Sequence, residues 1–378
     1  MTTQETNKMK DIECFHDAVS HIPETASQIK KQGRKIMGYL CSYAPEELIH
    51  AAGFHPMRLF SSKSDIVLAE NHLQSYCCSL VRGILEDSLN GRLDFLDGAV
   101  FPHTCDSMQR LSDIWRMNNR YAFFADVVLP AKLNTESAGI YMTEVLARFK
   151  KNLEAATGKD IPDTEIKASI SLFNQIRKNL SALYDLNSRH PGLISGRDLY
   201  TLVKGSMIMD RKEAADRLAH ILSRLEKMSP PVKPGKRLIL SGSVCDTPDI
   251  FDAIETAGGV LVGDDLCTGQ RWFEGLIMED RPPLSAMAER YRDRVTCPAK
   301  HSGLTTRAEN LVSQVEKNQA DGVVFLMLKF CDPHTFDYPY LKEHLDGSGI
   351  KSMVFEMDDQ QQSLAQFSTR IETFIHMI

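Results

Sequence analysis

The sequence predicts an α/β protein built from two doubly wound parallel sheets. Three observations carry that prediction. Short apolar runs alternate with stretches of helical period over residues 35–137 and again over 236–378. A stretch of purely helical period separates the two. The two strand-bearing parts also repeat each other's punctuation. At 378 residues the chain is long enough for two or three domains, each with its own core.

In chain order, residues 1–34 read as a polar helical arm. Residues 36–40, 57–60, 98–101 and 123–129 then read as strands, with helices between them. From 138 to 228 the strand-like runs stop, and apolar residues recur at helical spacing. Val145, Phe149 and Leu153 form one such set, Ile170, Phe173, Ile176 and Leu180 a second, and Leu218, Ile221 and Leu225 a third. The run Ser229-Pro230-Pro231-Val232-Lys233-Pro234-Gly235 closes the segment as a stiff linker, because prolines cannot continue a helix. Residues 237–240, 260–262, 323–328 and 353–356 read as the strands of the second sheet. The expected architecture is therefore two Rossmann-like domains, 35–137 and 236–378, facing each other with a helical segment, 138–235, between them.

The repeat is specific. In the first part a strand ends at Cys41, Pro45 opens a helix, and Gly53 ends it before the next strand. In the second part a strand precedes Cys245, Pro248 opens a helix, and Gly258-Gly259 ends it. Further on, Asp97-Gly-Ala-Val-Phe101 leads to Cys105-Asp106, and Asp321-Gly-Val-Val-Phe325 leads to Cys331-Asp332. Two similar modules thus each place a Cys-Asp pair just beyond the C-terminal end of a buried strand. In open parallel sheets, ligands collect in the crevice at those strand ends. Facing domains would let Cys105 and Cys331 converge. Cys78 reads as the start of a helix, where free N–H groups and the helix dipole favour a thiolate.

Composition narrows the function. A chain 43% hydrophobic and 25% charged is neither disordered nor fibrous. A net charge of −6 without a dense basic run argues against nucleic acid or an anionic membrane as partner. No apolar run is long enough to span a bilayer, and the polar opening lacks a secretory core, so a cytoplasmic location is expected. In such a compartment, nine cysteines point to thiols, metal or clusters rather than disulfides. No CxxC or C…HxxxH spacing occurs, which argues against a ferredoxin-type cluster and a zinc finger.

The matching stretches are Cys41-Ser-Tyr-Ala-Pro-Glu-Glu-Leu-Ile-His-Ala-Ala-Gly53, Cys78-Ser-Leu-Val-Arg82, Leu93-Asp-Phe-Leu-Asp-Gly98 and Cys105-Asp-Ser107, followed by Asp264-Asp-Leu-Cys-Thr-Gly269, Lys329-Phe-Cys-Asp-Pro-His334 and Gln366-Phe-Ser-Thr-Arg370. In that order they resemble the D-component family of (R)-2-hydroxyacyl-CoA dehydratases, which includes the cluster subunits of ATP-dependent benzoyl-CoA reductase. The resemblance implies a [4Fe–4S] cluster held by Cys78, Cys105 and Cys331, with one iron open to substrate. It implies ketyl-radical chemistry on an acyl-CoA thioester, either 2-hydroxyacyl-CoA dehydration or benzoyl-CoA reductase-like ring reduction. The partners implied are a homologous cluster-bearing subunit and a separate ATP-hydrolysing iron–sulfur activator. This chain has no GxxxxGK[ST] phosphate loop of its own. A reductase branch of the family suggests an alternative, a double-cubane [8Fe–9S] cluster with Cys41, Cys267 and Cys297 as a second ligand set. A non-catalytic electron-transfer role is a further alternative.

Other residues have weaker signals. His103 lies two residues before Cys105 and is a candidate for orienting substrate. Asp106 and Asp332 are expected to hold their loops. Asp264 and Asp265 are candidates for touching a ligand, or are solvated loop carboxylates. Ser241-Gly-Ser243 is a weak phosphate signal, and Trp115 and Trp272 are expected to be packing residues.

Overall fold

The structure is a computed structural model that describes residues 3–119, 121–228, 235–357 and 364–378. The proline-rich linker expected at 229–235 lies almost wholly outside the described residues. Two helices open the chain, α1 (Thr3–Ser20) and α2 (Ile22–Lys31). They are no loose arm. Ile12 and Phe15 are buried in the main core, and Phe15 lies against Gly205 so closely that a side chain there would meet its ring.

The first sheet comprises β1 (Ile36–Tyr39), β2 (His55–Arg58), β3 (Gly98–Pro102) and β4 (Phe123–Val127), all parallel and in the order β2-β1-β3-β4. Its crossovers carry α3 (Glu46–Ala51), α4 (Ser79–Leu89) and α5 (Asp106–Asn118). Four helices follow: α6 (Glu136–Thr157), α7 (Asp163–Arg189), α8 (Gly196–Ser206) and α9 (Arg211–Leu225). Thr135, Ser195 and Asp210 cap α6, α8 and α9 by accepting first-turn N–H groups, as N-cap side chains do.

The second sheet repeats the topology. Strands β5 (Lys236–Gly242), β6 (Gly259–Asp265), β7 (Gly322–Leu328) and β8 (Lys351–Met357) are parallel in the order β6-β5-β7-β8. The helices here are α10 (Asp249–Thr256), the single-turn α11 (Gln270–Phe273), α12 (Pro283–Asp293), α13 (Thr306–Lys317), α14 (Asp332–Gly347) and α15 (Leu364–Met377).

The repeated Asp-Gly motif now has a physical cause. Asp97 accepts the Ile36 N–H at 2.8 Å and Asp321 accepts the Arg237 N–H at 2.7 Å. Each carboxylate satisfies a backbone donor at the start of an inner strand of its sheet, β1 or β5. The glycine after it starts β3 or β7, whose residues are buried throughout. Gly242 ends β5 at φ +151°, and a Cβ there would lie 2.0 Å from the Leu326 carbonyl oxygen. Only glycine lets the end of β5 press against β7. In both sheets the strand order reverses beside the central strand, so each has a switch point, one at the ends of β1 and β3 and one at the ends of β5 and β7. One apolar core joins residues of both sheets through α7, α8 and α9.

Candidate metal centre

The two switch points open on one cavity of about 90 Å³. Six of the nine cysteines line it: Cys41, Cys78, Cys105, Cys267, Cys297 and Cys331. Packed interiors leave few voids larger than a water molecule. The other walls are mostly apolar, including Leu40, Leu59, Phe60, Val81, Ile84 and Leu328. A wider cleft of about 550 Å³ adjoins it and shares Cys78, Cys105 and Cys331. These three are therefore the thiols that a molecule entering from the cleft reaches.

The same local device presents all three. Cys78 is the N-cap residue of α4, Cys105 of α5 and Cys331 of α14. The N–H groups of each first turn, at the positive end of the helix dipole, favour an anion at the capping sulfur. Asp106 and Asp332 occupy the first helical positions after Cys105 and Cys331, where an acidic side chain also complements the dipole, and both line the outer cleft. Backbone strain is stored here. Cys41 and Phe330, the latter just before Cys331, adopt the left-handed conformation at φ 65° and 62°.

The remaining cysteines come from separate places. Cys41 follows β1, Cys267 follows β6, and Cys297 follows α12. With His334 on α14, Cys267 and Cys297 form a group whose donor atoms all lie within 4.8 Å of one another. Within this pair Cys267 carries the lower-pKa sulfur, because it accepts a hydrogen bond from the Cys297 thiol and Arg271 Nη1 lies 3.4 Å away. Burial pushes the Cys105 thiol up to about 11, and Cys331 is also raised, first by burial and then by Cys78. Loading a metal must displace those protons. The donors fit a thiophilic centre: among the described residues, six cysteine sulfurs, one imidazole and no carboxylate line the cavity itself.

Comparison with known proteins identifies the family of the chain. The family model for the 2-hydroxyglutaryl-CoA dehydratase D-component matches residues 41–378. The chain belongs to that family. It is 27% identical to the (R)-phenyllactyl-CoA dehydratase beta subunit of Clostridium sporogenes, over 98% of this chain and 99% of the relative. It is also 27% identical to a benzoyl-CoA reductase subunit of Thauera aromatica, over 91% of each. The beta subunit of (R)-2-hydroxyglutaryl-CoA dehydratase from Acidaminococcus fermentans matches at 27%, over 94% of this chain and 96% of its own.

This family member uses the weaker sequence candidates structurally. His103 bonds through Nε2 to Asp126 at 2.9 Å, in a cluster with Ser112 and Arg116, and does not line the cavity. Asp264 and Asp265 are neither ligand groups nor solvated. Asp264 is buried and accepts the Tyr184 hydroxyl at 2.7 Å and the Gln270 N–H at 2.8 Å. Asp265 is the counterion of both Arg271 and Arg307, at 2.8 and 2.9 Å. Ser243 does line the cavity, but its hydroxyl accepts the Leu328 N–H at 3.1 Å and so ties β5 to β7. Trp115 packs on Phe101, and Trp272 Nε1 donates to Glu46 at 2.8 Å. Sequence reasoning missed His334, Arg58 and Lys300. His334 had a usable signal, three residues into the helix that Cys331 caps.

Among the described residues, no helix is long and apolar enough to cross a membrane.

Proposed function

We propose that this chain is the iron–sulfur subunit of an anaerobic acyl-CoA enzyme, with a [4Fe–4S] cluster on Cys78, Cys105 and Cys331. The reaction is dehydration of an (R)-2-hydroxyacyl-CoA or reduction of an aromatic acyl-CoA ring, the two chemistries named among its relatives. One observation carries the reading: cysteines 226 residues apart in sequence, Cys105 and Cys331, cap equivalent helices on one thiol-lined cavity.

Bound there, the cluster supplies a low-potential electron and an open Lewis-acidic iron. The chain's own residues do the rest. Three helix N-termini stabilise negative charge at the sulfurs, and Leu40, Leu59, Phe60 and Ile84 keep the inner wall dry. The outer cleft admits the reacting end of a thioester to the side that Cys78, Cys105 and Cys331 line. Dehydration has no net redox change, whereas ring reduction consumes two electrons and two protons. In either case the electron is delivered by a separate ATP-hydrolysing activator, with a homologous subunit completing the enzyme.

A second reading follows from the other three thiols. Cys41, Cys267 and Cys297 line the same cavity, which supports a double-cubane [8Fe–9S] centre and a reductase activity. Anaerobic reconstitution with iron and sulfide separates the readings. About four irons, abolished by Cys78→Ala, Cys105→Ala or Cys331→Ala and unaffected by Cys41→Ala, supports the single cluster. About eight, with loss on substituting either set, supports the double cubane. A colourless, iron-free protein sinks both. Turnover of benzoyl-CoA against 2-hydroxyacyl-CoA thioesters, with partner and activator added, assigns the reaction.

A further inference from the structure

The buried cations of this protein divide into two kinds. Arg177 pairs with Glu47, Arg211 with Glu46, Lys204 with Asp246, and Arg271 and Arg307 with Asp265. Arg294 rests on the rings of Tyr43 and Tyr291, and Arg290 donates to the carbonyls of Trp272, Glu274 and Gly275. Lys300 has neither kind of partner, and Arg58 has only the ring of Phe60, 5.5 Å from its guanidinium carbon; both, unlike Arg290, line the thiol-bearing cleft or cavity. Lys300 is 7% exposed, and its ammonium donates to the carbonyls of His103 at 3.0 Å and Leu129 at 3.4 Å. Arg58, 3% exposed, donates to the Cys267 carbonyl at 2.8 Å and contacts the Met207 sulfur. Among the described residues no carboxylate pairs with either one.

An unpaired buried charge is costly, so native proteins place its counterion beside it. The charged neighbours of Lys300 are cysteines from both ligand sets, Cys41, Cys105 and Cys297. It lines the outer cleft with Cys78, Cys105 and Cys331, while Arg58 lines the inner cavity. An ammonium has three N–H donors, and the two carbonyls take one each. The geometry points to Lys300, with Arg58 behind it, as the countercharge of the metal centre, a positioning residue that favours its anionic, reduced form. This rests on the iron–sulfur reading above.

The test uses anaerobically reconstituted protein carrying Lys300→Met, Lys300→Gln or Lys300→Arg, with potentials read by EPR-monitored redox titration. Loss of the charge should lower the equilibrium constant for one-electron reduction at least tenfold in both Met and Gln variants, 59 mV or more. Arg should stay within about threefold of wild type, since it keeps the charge. Gln can still donate to the two carbonyls, so it isolates charge from tethering. Urea unfolding of the iron-free chain gives a second readout. There Lys300→Met should be at least as stable as wild type, because it removes an uncompensated buried charge, although the loaded form is weakened. If the neutral variants fail to take up iron while Arg loads, the countercharge role also stands. Full iron with a wild-type potential in both Met and Gln overturns it. So does a wild-type potential in Gln alone, or failure of all three to load in a folded chain. A wild-type chain that binds no iron would instead sink the iron–sulfur reading.

Discussion

The buried carboxylate of Glu46 is the knot at which three parts of the chain meet. It accepts the Tyr39 hydroxyl from β1, Arg211 Nη2 from α9 at 3.2 Å, and Trp272 Nε1 from α11 at 2.8 Å. Glu46 lies five residues after Cys41, and Trp272 five residues after Cys267. Their bond therefore sets how those two cysteine loops face each other. Glu46→Gln keeps the size but removes the charge and turns an amide donor towards a donor. Removing one partner of a buried ion pair costs about 3–5 kcal/mol. Arg211 keeps its bonds to the carbonyls of Pro56, Met207 and Met209, which places the expected loss at the low end, about 3 kcal/mol. With a urea slope of about 3 kcal/mol/M, the unfolding midpoint falls by about 1 M. Urea titration of the iron-free chain under argon, followed by tryptophan fluorescence, reads this directly, since Trp272 is one of only two tryptophans. Glu46→Gln/Arg211→Met should recover part of the loss, because both charges of the buried pair are then removed together. A single-variant midpoint within about 0.2 M of wild type would refute the assignment of Glu46 as the knot.

Three further outcomes follow from other sites. Asp265→Asn deprives Arg271 and Arg307 of their shared counterion and should cost about 3–5 kcal/mol in urea unfolding, whereas the exposed Asp293→Asn should change little. Gly242→Ala forces a Cβ to within 2.0 Å of the Leu326 backbone at a φ of +151°, so soluble yield should collapse or stability fall by about 3 kcal/mol or more. His50 is held neutral, its pKa lowered to about 4 first by burial and then by Arg211, and His55 is lowered for the same two reasons. Both titrate lower in the folded chain than in the unfolded one. Their stabilisation is therefore complete above about pH 6.5 and is lost as the pH falls towards 4, by up to about 3 kcal/mol for His50. His50→Gln should flatten that part of the stability–pH curve, and an unchanged curve would refute the attribution.

Much of the fold was legible because its local signals agree with its global form. The strand runs, the Pro and Gly punctuation and the repeated Asp-Gly motif follow from backbone needs that any such sheet imposes, as the Asp97 and Asp321 bonds make plain. Cys105 and Cys331 were legible for the same reason, since a repeat carries equivalent positions to equivalent strand ends. Asp264 and Asp265 were misjudged as ligand or solvated groups because two acidic residues at the end of a strand look alike whether they face solvent or buried donors. The groups that decide it, Tyr184 for Asp264 and Arg271 and Arg307 for Asp265, come from α7, α11 and α13.

Cys41, Cys267 and Cys297 show where sequence reasoning stops. A ferredoxin-type site is readable because its ligands share one loop, so spacing alone fixes their geometry. Here each thiol lies on a different connection, and none of their separations constrains the others. What brings them together is a set of bonds between the halves: Trp272 to Glu46, Arg58 to the Cys267 carbonyl, Arg294 to the Ser42 carbonyl at 2.8 Å, and Lys300 to the His103 carbonyl. Three of these bonds end on a backbone carbonyl, which every residue type offers, so the accepting position leaves no mark in the sequence. The donors of those three are buried cations, and two of them, Arg58 and Lys300, line the cavity or cleft beside the thiols. Residues that dock the halves therefore also supply positive charge around the cavity, so a substitution that removes the side chain's donors alters docking and electrostatics together. That coupling is the reason to compare Lys300→Gln with Lys300→Met: only the former keeps the docking bonds while giving up the charge.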